Sequence, residues 1–465
     1  MWERFTYYGM RAVLILFLSG AMGSGGLGLD DRTASAIYGL YISATYVFSL
    51  LGGWIADRLV GSQRAIIAGA VLIIAGNLLL SLGLTRAFFA GLLVIVIGVG
   101  LLKPNISTSV GRLYPEGGAR RDAGFSIFYV GISVGAVLGP LLVSECVDRY
   151  GWHAAFRLPA FGMTIGLGYF LLTRSRLADP PTPISNRRRD WWGLGAILLL
   201  IAIGAALPLE GIVEFDPLVV GALASWLLTF LAALYFFCLA VFGGLTRPQR
   251  HRLYVSMVLF AAYALFYAGF EQGGDSMNLF ADRYVDRSVL GWTFPAGILQ
   301  SATALYTILF APAFAALWLA LGKRGKDPSP PAKFGTGLLL LSFGTLLMVF
   351  ACQRVVHGHT VTPLWLLTVY LLQELGDLCL SPVGLSSMTK LAPQRYAGQM
   401  MGVWFLALAL GNNLAGQLST LYDASHLATL PALFLKIFVF TLGAALVVFA
   451  LTPLLKRLMQ GPEPQ

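Results

Sequence analysis

Apolar runs of membrane-crossing length follow one another along almost the whole chain, separated by short polar or glycine- and proline-bearing turns. A hydrocarbon core about 30 Å thick takes about 20 apolar residues as a helix. On that basis the runs 1–20, 33–56, 64–84, 87–112, 122–145, 152–173, 191–209, 217–243, 253–282, 293–321, 333–353, 362–392, 396–422 and 430–457 predict fourteen transmembrane helices. The head of the first run breaks the apolar pattern, with Glu3, Arg4 and Arg11 inside it. At helical spacing Arg4, Tyr7, Tyr8 and Arg11 share one stripe, with Glu3 at its edge, while Val13 to Leu18 is almost wholly apolar. A charge at bilayer depth costs about 2.5 to 3.5 kcal/mol on insertion scales, so such residues line a watery cavity or pair inside a bundle. The plainer alternative is a helix that starts at the interface, with Arg4 snorkelling to headgroups.

Composition agrees with the pattern. With 57% hydrophobic and 12% charged residues, the chain is no soluble domain, and its mean hydropathy is +0.74. The net charge of +10 does not mark a nucleic-acid binder, because the basic residues fall on alternate loops. Loops such as Arg58–Arg64, Arg174–Arg189, Arg247–Arg252 and Lys323–Lys333, with the tail Lys456–Arg457, bring one side to 21 Lys and Arg against 6 on the other. That asymmetry predicts both chain ends in the cytoplasm. The cysteines Cys146, Cys238, Cys352 and Cys379 are scattered, so neither a disulfide nor a metal site is expected. No cofactor is expected either. The first span carries charge and no basic leader, so it is not read as a signal peptide.

The polar, proline-stiffened segment from Arg174 to Asp190, with Pro180, Pro181, Pro183 and the run Arg187 to Arg189, is the best boundary between halves. A second boundary lies at Thr246–Arg252. The expected organisation is an N-terminal six-helix bundle (1–175), a cytoplasmic linker (176–190), a lipid-facing two-helix insertion (191–245) and a C-terminal six-helix bundle with a short cytoplasmic tail (246–465). Two bundles around a central site are the plan of many secondary transporters.

Charges within spans single out the chemistry. Lys103 sits in the fourth span directly before Pro104, whose ring removes a backbone donor and predicts a local kink. An ammonium group at that depth calls for a carboxylate or an anionic substrate, the alternative being a structural ion pair. Glu271 follows the second boundary, and its natural counter-ion is Arg11 or Lys103. Glu374 and Asp377, three residues apart, precede the expected break at Ser381-Pro382. Asp377 is read as functional, and Glu374 equally well as a hydrogen-bonded packing residue. Lys436, Arg157 and Asp275 are assigned no function. The five histidines sit in loops or at span ends, which leaves carboxylates to carry any protons.

The residues then match a family: the chain resembles the proton-dependent oligopeptide transporters of the major facilitator superfamily. Glu3 to Gly9 resembles the second part of that family's E-x-x-E-R-F-x-Y-Y-G signature, whose first glutamate would fall one position before Met1. Gly53 to Arg58, with Gly61 and Arg64, is similar to the superfamily loop between the second and third spans. Phe128 to Gly135 resembles the fifth-span signature F-Y-x-x-I-N-x-G. The stretches 380–385, 400–405 and 411–416 resemble the tenth and eleventh core spans. The departures are Ser133 for the usual asparagine, Gln300 to Ala304 near an N-P pair, and Asp377 for a glutamate, shorter by one methylene.

The resemblance implies an all-α polytopic membrane protein of the major facilitator fold, two six-helix bundles plus the two extra helices of bacterial members. It implies a proton-coupled symporter, not an enzyme, that imports di- and tripeptides across a bacterial inner membrane, with protons and lipid as its other partners, no nucleic acid, and a monomeric state. A zwitterionic peptide would be held by Arg4, Arg11 and Lys103 at one end and Asp377 at the other, with Tyr7, Tyr8, Tyr46 and Trp404 as pocket walls and Ser133 at the asparagine position. Glu3, Arg4, Arg11, Lys103 and Glu271 are the expected coupling set, with Glu271 beside Arg11 and Glu3 near Lys103, because an acid's hold on a proton depends on whether a cation is near it. A nitrate or other small-anion or amino-acid symporter of the same superfamily is the alternative, and a nitrate or small-anion carrier would have no acid facing Lys103.

Overall fold

A computed structural model describes residues 1–113, 118–176, 188–210, 212, 214–289, 291–393, 396–422 and 427–459. Most of the expected linker, including its prolines and Arg187, and the last residues of the tail lie outside the described residues. The chain is almost wholly helical: α1 (Trp2–Ser19), α2 (Asp31–Ile55), α3 (Ser62–Leu80), α4 (Thr85–Arg112), α5 (Gly118–Thr173), α6 (Arg188–Leu209), α7 (Pro217–Phe242), α8 (Arg247–Phe270), α9 (Ser276–Tyr284), α10 (Ser301–Lys323), α11 (Pro330–Val356), α12 (Pro363–Leu391), α13 (Ala397–Ser419) and α14 (Leu430–Met459). Among the described residues ten helical stretches are long and apolar enough to cross a membrane, with 127–173 counted as one of them.

Several element boundaries differ from the apolar runs, each for a local reason. The runs 122–145 and 152–173 are two helices, together labelled α5, that meet without a loop at Gly151, whose φ of 78° and ψ of 175° are not helical and which glycine adopts without a Cβ penalty. The run 253–282 is broken. α8 stops at Phe270, a 3-10 turn spans Glu271–Gly274, and α9 starts at Ser276. The run 293–321 begins with half of a small hairpin, β1 (Ser288–Val289) against β2 (Trp292–Thr293), and becomes α-helical only at Ser301. Conversely, Pro104 and Pro382 end no helix, for both lie inside α4 and α12.

By packing, the chain divides into two compact units. The first comprises Met1–Leu29 and Ala44–Val220. In it α1 lies along α5, and α3 along α4. Glycines set the approach of the second pair: a Cβ on Gly69 would stand 2.6 Å from the Gly98 carbonyl oxygen, and one on Gly98 would stand 2.8 Å from that of Gly69. Such small-residue contacts hold helices together in a bilayer, where burying apolar surface gains little over lipid.

The same device answers Pro104. Its ring leaves the Gly100 carbonyl without the usual amide four residues on. Gly52 of α2 lies against that oxygen, so close that a Cβ on it would come within 2.0 Å. Asn105 Nδ2 donates to Leu101 O at 2.7 Å and to Gly52 O at 3.3 Å, stitching α4 to α2. Gly52→Ala is therefore expected to lower the melting temperature in detergent, by a strain of about 1 to 3 kcal/mol. Gly53→Ala is the control, since its Cβ would meet only Pro104 at 4.0 Å. Equal melting temperatures would contradict the close approach at Gly52.

The second unit comprises Asp30–Ser43 and Gly221–Gln465. α8 packs on α13, and α11 packs on both α12 and α14. The start of α2 is fastened to this unit by hydrogen bonds from Ser35 Oγ to Asp275 Oδ1 at 2.7 Å and from Ser43 Oγ to Ala409 O at 2.8 Å. Arg283 grips Asp31 with both guanidinium nitrogens, at 2.7 and 2.6 Å. α7 is pinned to α13 where Asn413 Nδ2 donates to Gly221 O at 2.7 Å and Ser225 Oγ at 2.6 Å. Its other face exposes Trp226, Phe230, Phe237 and Phe242, the kind of surface that acyl chains cover.

Candidate functional site

In the first unit the α1 stripe forms as its spacing requires, and Tyr7 and Arg11 are buried. Glu3 pairs with Arg4, Oε2 to Nε at 2.9 Å. Arg4 in turn sits over the Tyr7 ring, 5.8 Å from its centroid. The ammonium of Lys103, from α4, stands 3.8 Å above the Tyr46 ring of α2 and 5.7 Å from that of Tyr7. Tyr8 meets Tyr7 edge-to-face, 5.2 Å apart at 82°. Tyr7 is thus shared by two cations, which its ring attracts without neutralising either. Ser133 is buried on α5. Glu3, Arg4, Tyr7, Tyr8, Lys103 and Tyr46 therefore form one cluster, whose charged groups are two cations and a single carboxylate. A cavity of about 480 Å³, largely apolar, opens beside Glu3 and Arg4 among α1, α3, α4 and α5.

The second unit gathers carboxylates. Glu271 is 3% exposed, in the 3-10 turn at the end of α8. Gln272 holds that turn in place. Its Nε2 donates to Ala268 O at 3.2 Å and Ala415 O at 3.0 Å, while its Oε1 accepts from Ser276 at 2.6 Å and Ser419 at 2.9 Å. A side chain so bonded caps the Ala268 carbonyl at the end of α8 and ties the turn to α13, and a break at membrane depth is tolerated where protein receives its polar groups. On α12, Glu374 is buried and accepts from Thr307 Oγ1 of α10. Asp377, one turn on, accepts from Tyr267 OH at 3.2 Å and from Ser381. It lies within electrostatic reach of both Glu374 and Glu271. Trp404 of α13 is buried and stacks on Tyr263, 3.7 Å centroid to centroid at 22°.

Glu271, Asp377 and the Trp404 stack belong to the second unit; the other site residues named from the sequence belong to the first. Reading the sequence passed over Tyr263, Tyr267, Thr307 and Gln272, and it took Ser381 only as part of a helix break. A signal existed for three of them: Tyr263, Tyr267 and Glu271 recur every four residues, and Ser381 stands four after Asp377, so each set shares a helix face. Asp275, set aside in the sequence, is wholly buried on Ser35. Among the described residues no group of three His, Cys, Asp or Glu is placed to hold a metal ion, and the four cysteines are free thiols.

The sequence profile of the POT family matches residues 63–208 and 211–434. The chain is 39% identical to the peptide transporter YePEPT of Yersinia enterocolitica subsp. palearctica, over 100% of this chain and 94% of that protein. It is 34% identical to a di-/tripeptide transporter of Lactococcus lactis subsp. lactis, over 91% of this chain and 88% of that one. Among solved structures, a peptide transporter POT in complex with sulfate superposes with a TM-score of 0.92 at 37% identity, covering 99% of this chain and 94% of that one. A POT family transporter in complex with 5-aminolevulinic acid superposes with a TM-score of 0.90 at 34% identity, covering 98% and 95%.

Proposed function

Since the chain belongs to the POT family, we propose that it is a proton-coupled symporter that carries di- and tripeptides into the cytoplasm by alternating access. It is a transporter and not an enzyme. The observation that carries the substrate reading is the sorting of charge. Arg4 and Lys103 are gathered on aromatic faces in one unit, and Glu271, Glu374 and Asp377 in the other. A short peptide is a zwitterion whose carboxylate suits the first group and whose ammonium suits the second. A nitrate ion carries no ammonium for the carboxylates to bind, which favours the peptide reading over a small anion.

Within this reading Arg4, Arg11 and Lys103 bind the peptide carboxylate, and Asp377 binds its ammonium. Tyr7, Tyr8, Tyr46, Ser133 and Trp404 shape the pocket. Glu3, Arg4, Arg11, Lys103 and Glu271 couple the proton. We further propose a bacterial inner-membrane protein of fourteen spans, monomeric, without a cofactor, and with both ends cytoplasmic. The supports are the apolar runs, the 21-to-6 basic asymmetry and the bacterial relatives. The test is uptake of labelled dialanine into liposomes under an imposed inward proton gradient. Accumulation that unlabelled di- and tripeptides abolish, and that alanine and nitrate do not, is expected; accumulation of nitrate in its place would overturn the reading.

A further inference from the structure

The carboxylate of Asp377 hangs on a single methylene, so it has little reach of its own. Where it points is decided by its neighbours. Its Oδ1 accepts from Tyr267 OH of α8 at 3.2 Å and from Ser381 Oγ one turn along α12. Ser381 Oγ also meets Tyr263 OH at 3.0 Å. Tyr263 is anchored by its stack on Trp404 at 3.7 Å. Trp404 in turn fills the space over Gly384, where a Cβ would come within 2.1 Å of its ring. Tyr267 lies against the same Tyr263 ring, 4.8 Å centroid to centroid, so both donors to Oδ1 stand on a packed aromatic support. Among the described residues no hydrogen-bond donor meets Oδ2, and Asp377 is half-buried.

We infer that Tyr267 and Ser381 clamp Oδ1 of Asp377 so that Oδ2 alone is offered to the ligand's ammonium group, and that Tyr267 is thereby a positioning residue that sets this transporter's demand for a free amino end. The inference rests on the reading that the ligand is a peptide whose ammonium goes to Asp377. A carboxylate held at one oxygen by two hydroxyls keeps a single orientation, and the ordering is complete before the ligand arrives. Without the Tyr267 hydroxyl the short side chain rotates, and the ammonium must do the ordering itself. A longer acid would reach the ligand without that help.

The experiment is counterflow exchange of labelled dialanine in liposomes holding the full-length protein, with competition by unlabelled dialanine and by N-acetyl-dialanine, whose amine is blocked. In Tyr267→Phe, dialanine is expected to compete about tenfold less well, the scale of one lost hydrogen bond to a charged group. N-acetyl-dialanine should compete as in the wild type, so the preference for a free amine falls about tenfold. Adding Asp377→Glu to Tyr267→Phe should restore it. A packing role for Tyr267 would weaken both ligands alike and would not be rescued, and that result overturns the clamp. So does an unchanged preference. Ser381→Ala removes the other donor, again by the loss of one hydroxyl, and is read in the same assay, so a poorly assembled Tyr267→Phe does not leave the idea standing by default. If the wild type exchanges no dialanine, the peptide reading falls and the clamp's role with it; if it does and the preference holds in both variants, only the clamp falls.

Discussion

Glu271→Gln is expected to abolish proton-driven accumulation of dialanine while leaving its exchange across the membrane intact. Glu271 is almost wholly buried in a turn that interrupts the helix. A carboxylate there needs either a cation or a proton, because its charge has lost water. The cation proposed from the sequence is Arg11. If that cation is present in one conformation and withdrawn in the other, the acid holds a proton more tightly where the cation is withdrawn, and lowering the pH favours that conformation. Glutamine keeps the shape of the protonated acid permanently. The variant should therefore equilibrate peptide without concentrating it, a loss of the whole gradient-driven component, read by comparing uptake under a proton gradient with counterflow in the same liposomes. A variant that still concentrates peptide would show that another group couples the proton.

Asp377→Asn should weaken dipeptide competition by several hundredfold or more and spare expression. Removing one member of a buried ammonium–carboxylate pair leaves the other charge desolvated, which costs about 3 to 5 kcal/mol. The amide keeps the size of the acid and can still accept from Tyr267 and Ser381, so the loss would belong to the charge and not to the fold. Glu374 is the rival. It is buried at 4% with Thr307 as its donor, so Glu374→Gln should leave competition within a few-fold of wild type. If Glu374→Gln abolishes competition and Asp377→Asn does not, the amine site moves three residues up α12.

How much of this was legible beforehand follows from the range of the interaction involved. The membrane class and the placing of the helices need only runs of apolar residues. The α1 stripe of Arg4, Tyr7, Tyr8 and Arg11 needs only the helical period, and it formed. The break at Glu271–Gly274 was missed because the glycines alone do not require it. What fastens it is Gln272 reaching Ala415 of α13, 143 residues away. Likewise nothing near Pro104 in the sequence reveals Gly52 against the carbonyl that its ring frees.

The sequence by itself therefore determined the helices, their apolar lengths and the identity of the charges that a bilayer would not leave unused, because those depend on neighbours one or two turns away. Only the tertiary structure decided what those charges touch: Lys103 on Tyr46, Glu374 under Thr307 from 67 residues away, and Asp377 under Tyr267 from 110. A hydroxyl or a ring meets a charge through the packing of separate helices, and the hydrophobic period along either helix carries no record of which partner the other brings.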